Sequence, residues 1–237
     1  MALFKPLKAC YNTNMGMSHD AAFHMRHKIL MPMEAREKSS PSQLGGIAEL
    51  DETYVLENLK GRKLLENALR EPRKHGEKAA QRGISNEQIC IMTGVERNRG
   101  SAYAVTLNRD HPSAEEIKTT FEGPIAAGCV AFTDGLKGCR HLEEIADCVT
   151  ESVDRQEQKN AGTANLNNVN NFHSYIHERY SHYRGVAAQY INRYSSLFST
   201  IYRAKKSLSN IADAILHDIR AHVFSCWDVH HTALVTI

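Results

Sequence analysis

Asp51 is the first residue whose setting calls for a chemical explanation. It sits in GGIAELDETYV (residues 45–55), where Ile47, Leu50, Tyr54 and Val55 predict a strand, and strands are depleted of Asp. A second carboxylate, Asp134, ends another short apolar run, Cys129 to Thr133, just before Gly135. If the two strands are neighbours, the acids converge on one spot. Bare carboxylates so placed repel, and a divalent cation relieves the repulsion; hard Mg²⁺ prefers carboxylate oxygens and keeps positions for water and phosphate. A strand holds such a ligand more accurately than a loop does. The competing reading is structural, with Asp51 facing solvent on an edge and Asp134-Gly135 serving as a turn, and the pattern alone leaves both open.

A third group of polar residues lies on the helix predicted from Asn168. Phe172, Ile176, Tyr180 and Tyr183 share one side, while Asn170, His173 and His177 share another. Histidines four apart on a helix can share a zinc ion, but His173, His177 and His182 come with no further ligand at a recognisable spacing, so solvated or DNA-facing histidines are preferred. Tyr175, Tyr180, Tyr183, Tyr190 and Tyr194 read most economically as core or interface.

The elements that must position these residues follow from periodicity. SHDAAFHMRHKIL (18–30) predicts a short basic helix capped by Ser18 and carrying Arg26 and Lys28. REKSSPSQLGG (36–46) has linker composition, which divides the chain into 1–36, a linker at 37–46, a main domain over 47–207 and a C-terminal helix and tail over 208–237. After the Asp51 strand, residues 57–82 carry Lys60, Arg62, Lys63, Arg73 and Lys74 with no sustained apolar period, as expected of a basic insertion. Gln88 to Val95 and Ala102 to Leu107 read as a hairpin, Pro112 to Ala127 as a helix capped by Ser113, His141 to Cys148 as a short helix, and Val149 to Val153 as a weak fifth strand. Two helices follow over 168–204, broken near Arg184-Gly185, and one more begins beyond Ser207. A meander followed by alternating helix and strand predicts an α/β fold, a mixed five-stranded sheet flanked by helices.

Composition excludes more than it identifies. The 237 residues, 42% of them hydrophobic, can bury a sizeable core, which excludes a disordered chain. Lys and Arg (29) nearly balance Asp and Glu (27), so a nucleic-acid partner has to be argued from local clusters. Six cysteines without a C-x-x-C pair fit reduced thiols in a cytosol. No leader and no long apolar run is present, which leads us to expect a cytoplasmic protein without a membrane partner.

Four blocks in order, ELDETYV (49–55), PRKHGEKAAQRGISNEQICIM (72–92), FTDGLKGCRHL (132–142) and NLNNVNNFHSYIHERYSHYRGVAAQYINRY (165–194), closely resemble bacterial insertion-sequence transposases of the zinc-ribbon, ISXO-like group. The resemblance implies a ribonuclease-H-like fold and an acidic triad of the DDE type whose third member is often Asn. By position, Asp51, Asp134 and Asn170 match that triad as metal ligands. It also implies Mg²⁺ or Mn²⁺ as cofactor, double-stranded DNA (transposon ends and target) as partner, a nucleoid-associated location, and a homodimer, since two ends must be handled together. The basic residues Arg26, Lys28, Lys60, Arg62, Lys63, Arg73 and Lys74 would then contact phosphate.

Two departures follow from the same resemblance. Family members usually have Lys or Arg seven residues after the third triad member, where this chain has His177, only partly charged near neutral pH. Relatives also begin with a cysteine-paired zinc ribbon before a helix-turn-helix; here Cys10 alone cannot form a ribbon, so a partial helix-turn-helix is expected. The expected function is metal-dependent phosphodiester cleavage and strand transfer at insertion-sequence ends. The alternative is a truncated, catalytically inactive DNA-binding remnant.

Overall fold

Ser18 starts the first described helix by leaving its own backbone extended while its hydroxyl accepts the Ala21 amide. The computed structural model describes residues 16–59, 87–109, 111–135, 137–153, 164–183 and 185–221. Helix α1 spans His19–Ser39 and therefore runs through the start of the linker expected at 37–46. Its second half is held by tertiary contacts: Leu30, Met31 and Met33 are buried, and Glu37 is buried against later helices. The basic short helix is thus a longer, core-packed one.

The sheet is built from β1 (Ile47–Leu56), β2 (Gln88–Glu96), β3 (Ala102–Arg109), β4 (Val130–Thr133) and β5 (Val149–Ser152), in the order β3-β2-β1-β4-β5. β1, β2 and β3 form an antiparallel meander, while β4 and β5 run parallel to β1. Parallel strands need crossovers. Helix α2 (Ala114–Phe121) lies in the first of them, started by a capping box between Ser113 and Glu116. A 3₁₀ turn (Lys137–Leu142) and the one-turn helix α3 (Glu143–Ala146) lie in the second. Then come α4 (Asn167–His182), α5 (Ile191–Lys206) and α6 (Ile211–Ala221). This mixed sheet with helices on both faces is the ribonuclease-H-like arrangement that was expected.

Strand alternation divides the core into two. Ala48 and Leu50 of β1 face a cluster with Leu44, Ile117, Phe121, Cys139 and Leu142 on the α2 side. The opposite face packs Ile89, Ile91 and Phe132 against Val169, Phe172, Ile176, Leu197 and Phe198 of α4 and α5. Gly94 of β2 is needed by the first cluster: a Cβ there would meet Leu44 Cδ1 at 2.5 Å and Leu50 Cδ2 at 2.9 Å. No described helix is long and apolar enough to cross a membrane.

Candidate metal centre

The parallel register of β1 and β4 brings the two acids together. Ile47 pairs with Val130, Ala48 with Ala131 and Glu49 with Phe132. Continued by two residues, the same offset sets Asp51 opposite Asp134, one residue beyond the end of β4. Gly135, at φ +90°, then turns the chain away in a conformation that side-chain-bearing residues rarely adopt. Asp51, Glu52 and Asp134 each offer a carboxylate oxygen within 4.8 Å of the other two, the one such group of potential metal ligands among the described residues.

Glu52 was missed in the sequence because alternation assigns it to the face opposite Asp51. β4 ends at Thr133, however, so β1 has no parallel neighbour beside residues 51 and 52, and carboxylates from both faces can reach the same space. The visible signal was the consecutive pair Asp51-Glu52 inside a strand. Its amide donates to Asp51 Oδ1 at 2.9 Å, which fixes one oxygen of that carboxylate.

The electrostatics are those of a site short of positive charge. Burial first, then the neighbouring Asp134 and Glu52, push the Asp51 carboxyl up to about 8. Burial and Asp134 also raise that of Glu52. Glu52 Oε2 is buried without a hydrogen-bond partner among the described residues. An all-oxygen donor set, mutual repulsion and an orphaned acceptor together fit a hard divalent cation.

Helix α4 is bound to this strand by a ladder of polar contacts. Glu49, fully buried, accepts the amides of Asn168 (2.7 Å) and Val169 (3.0 Å) at the helix start, the Asn168 side-chain amide (2.8 Å) and Arg97 Nε (2.7 Å). Further along, the Thr93 hydroxyl donates to the Asp51 carbonyl at 2.7 Å, so His173 Nε2, also 2.7 Å away, must donate to Thr93. That leaves His173 Nδ1 unprotonated, 3.9 Å from Asp51 Oδ2. Burial, with His177 adding to it, lowers His173 to about 4, so the ring is neutral. One turn on, His177 Nε2 meets Thr53 Oγ1 at 2.8 Å, and burial lowers its pKa too.

Asn170 shares this helix face three residues before His173 and is exposed. The expectation of solvated or DNA-facing histidines is corrected for His173, whose nitrogens are committed to the sheet. The zinc alternative finds no support, because His173, His177 and His182 go to different partners, the last to the Glu178 carbonyl at 2.6 Å. Arg26 is a second correction. It is 5% exposed with its guanidinium over the Tyr183 ring, so it packs between helices rather than facing phosphate. Lys28 is half-buried, and Lys60, Arg62, Lys63, Arg73 and Lys74 lie outside the described residues.

No curated protein matches the chain. Among solved structures it is similar to a chain of the cryoEM structure of the simian T-cell lymphotropic virus intasome in complex with the PP2A regulatory subunit B56 gamma. That likeness has 11% identity and a TM-score of 0.35, over 96% of this chain and 72% of that one. The model of one family, the ISXO2-like transposase domain, matches residues 43–203, a span that contains the whole sheet, the three carboxylates and the helix beside them. A match over that much of the sequence, on a ribonuclease-H-like fold, means that the chain belongs to the ISXO2-like transposase domain family.

Proposed function

We propose that the chain is a DNA transposase of the DDE type that cleaves phosphodiesters at insertion-sequence ends and joins them to target DNA, using Mg²⁺ or Mn²⁺ held by Asp51, Glu52 and Asp134. The observation that carries this reading is the convergence of those carboxylates within 4.8 Å with Glu52 Oε2 unpartnered. Divalent ions, when bound, lower the pKa of an attacking water or DNA 3′-hydroxyl and neutralise charge on the leaving oxygen.

The residues of the chain supply position and protonation. Asp51 and Asp134 hold the metal from adjacent parallel strands, and Glu52 adds the charge that a neutral amide at Asn170 lacks. Asn170, on the exposed helix face beside β1, is the third triad member and offers one carbonyl oxygen. His173, through Thr93, braces the Asp51 backbone. His177, bound to Thr53, is a neutral neighbour to phosphate in place of the Lys or Arg of relatives. Handling two ends calls for two copies of the chain on chromosomal DNA.

The test is a nicking and strand-transfer assay in Mg²⁺ or Mn²⁺ on duplexes carrying the element's terminal inverted repeats. Asp51→Asn and Asp134→Asn should each lower product formation by about 10²-fold or more, the scale of losing one group that stabilises transition-state charge. Unchanged activity in either variant refutes the assignment. The neutral, Thr53-bound His177 favours a second reading, a DNA-binding remnant without catalysis. It would be established by metal-independent, salt-sensitive binding without cleavage in a folded sample.

A further inference from the structure

With Arg26 buried, the cations that can meet DNA have to be sought elsewhere on the described surface. Tyr175 and Tyr202 pack as a tilted pair with ring centroids 5.8 Å apart and planes at 53° where α4 and α5 meet, and the Tyr202 hydroxyl donates to Asn171 Oδ1, on the neighbour of Asn170. Three cations lie over these rings: Arg179 Cζ is 4.9 Å and Lys205 Nζ 5.1 Å from the Tyr175 centroid, and Lys206 Nζ is 5.5 Å from that of Tyr202. Lys206 also packs on Gly100, where a Cβ would meet its own Cβ at 2.5 Å, and this extends the strip to the β2–β3 turn and Arg99, whose side chain is 87% exposed. The acids beside these cations are Glu178, 3.7 Å from Arg179, and the buried Glu96, 4.0 Å from Arg99. Lys205 and Lys206 are exposed.

We propose that this aromatic-backed cationic strip holds the phosphate backbone of duplex DNA lying across α4, on the flank of the helix away from the metal centre. Tyr175 stands one helical turn after Asn171 and about 140° around α4 from Asn170, so the strip and the His173 side of the helix flank its exposed face from opposite sides, a width of about 10–12 Å that one duplex lying across α4 covers. The tyrosine faces hold the ammonium and guanidinium groups in place, and a row of fixed cations is complementary to phosphates irrespective of base sequence. The inference rests on the transposase reading for its substrate but on separate residues for its argument.

The experiment measures binding of the full chain to a short labelled duplex of arbitrary sequence by fluorescence anisotropy across a salt series. The variant Arg179→Gln/Lys205→Gln/Lys206→Gln removes charge without adding any. Its affinity should fall about tenfold or more, and the slope of log affinity against log salt should shrink by about 2 to 3, near 0.9 for each phosphate no longer neutralised. The Mn²⁺-induced rise in Tm should persist in this variant and disappear in Asp51→Asn, whose DNA binding should remain. A folded triple variant with wild-type affinity and salt slope overturns the strip. A wild-type chain that binds no duplex does so as well, while leaving the metal centre standing if Mn²⁺ still raises Tm. An Asp51→Asn chain that keeps its Mn²⁺ response refutes the metal centre and leaves the strip intact.

Discussion

An Asp51 carboxyl that holds its proton to about pH 8 makes the metal-free site sensitive to pH in a direction that can be worked out. The ordinary value is 3.8, so the folded chain binds this proton more tightly than the unfolded chain does. The stability contributed by the protonated form is complete below that ordinary value and is lost as pH rises toward about 8. The Asp51 contribution should therefore be smaller at pH 8 than at pH 5, and it is read as the Tm change between the two in the wild type minus that in Asp51→Asn, because the lowered His173 and His177 change stability in the opposite sense below their ordinary 6.5. Mn²⁺ should raise Tm more at the higher pH, because it binds the charged form. Asp51→Asn should remove the loss due to Asp51 and raise the metal-free Tm at pH 8, each kcal/mol recovered appearing as about 2–4 °C. Differential scanning fluorimetry over the two pH values with and without Mn²⁺ measures all of this, and a metal response equal at both would count against a carboxylate cage.

At the scale of elements, Glu49 decides where α4 stands. One buried carboxylate takes two helix-start amides, the Asn168 side chain and Arg97, and so sets the helix that bears Asn170, His173 and His177 against β1. Glu49→Gln removes the charge and part of the acceptor capacity, which takes from the half-buried Arg97 its 2.7 Å ion pair with Glu49. A loss of about 3–5 kcal/mol in urea unfolding is expected, with Mn²⁺ binding weakened in the refolded fraction. A loss below about 1 kcal/mol would show that the helix is held by its apolar face alone. This clamp was not legible in the sequence, since residues 49, 97 and 168 meet only once sheet and helix are assembled. The Asp51 and Asp134 pairing was legible, because a polar residue inside one apolar run and another at the end of a second constrain a parallel register. Arg26 misled because its helix places basic residues on both its buried and its open sides, so charge alone did not mark the solvent face. The strands, the cap at Ser113 and the break before α5 came from local chemistry and stand where expected.

Across the whole molecule, a buried ionic network joins α1 to α5 and α6. Arg203 of α5 donates to Glu37 of α1 at 2.6 Å and to the Ala102 carbonyl at 2.9 Å, while Arg36 holds Glu37 and reaches Asp218 of α6 at 3.1 Å. Arg203→Met should cost about 3 kcal/mol in urea unfolding, because Glu37 keeps its charge and loses one of two cations. A neutral result would mean that the apolar contacts of Leu30, Met33, Leu197 and Phe198 suffice to dock α1. The antiparallel pairing of β1 with β2 has a different reach. It is continuous from Ala48 with Glu96 to Leu56 with Gln88, so both ends of the segment between residues 56 and 88 are anchored side by side at the rim of the sheet. Loop-closure entropy grows slowly with length, by about 0.6 kcal/mol for each doubling. Natural variants can therefore lengthen or shorten the segment between these two ends while the strand bearing Asp51 and Glu52 keeps its alignment.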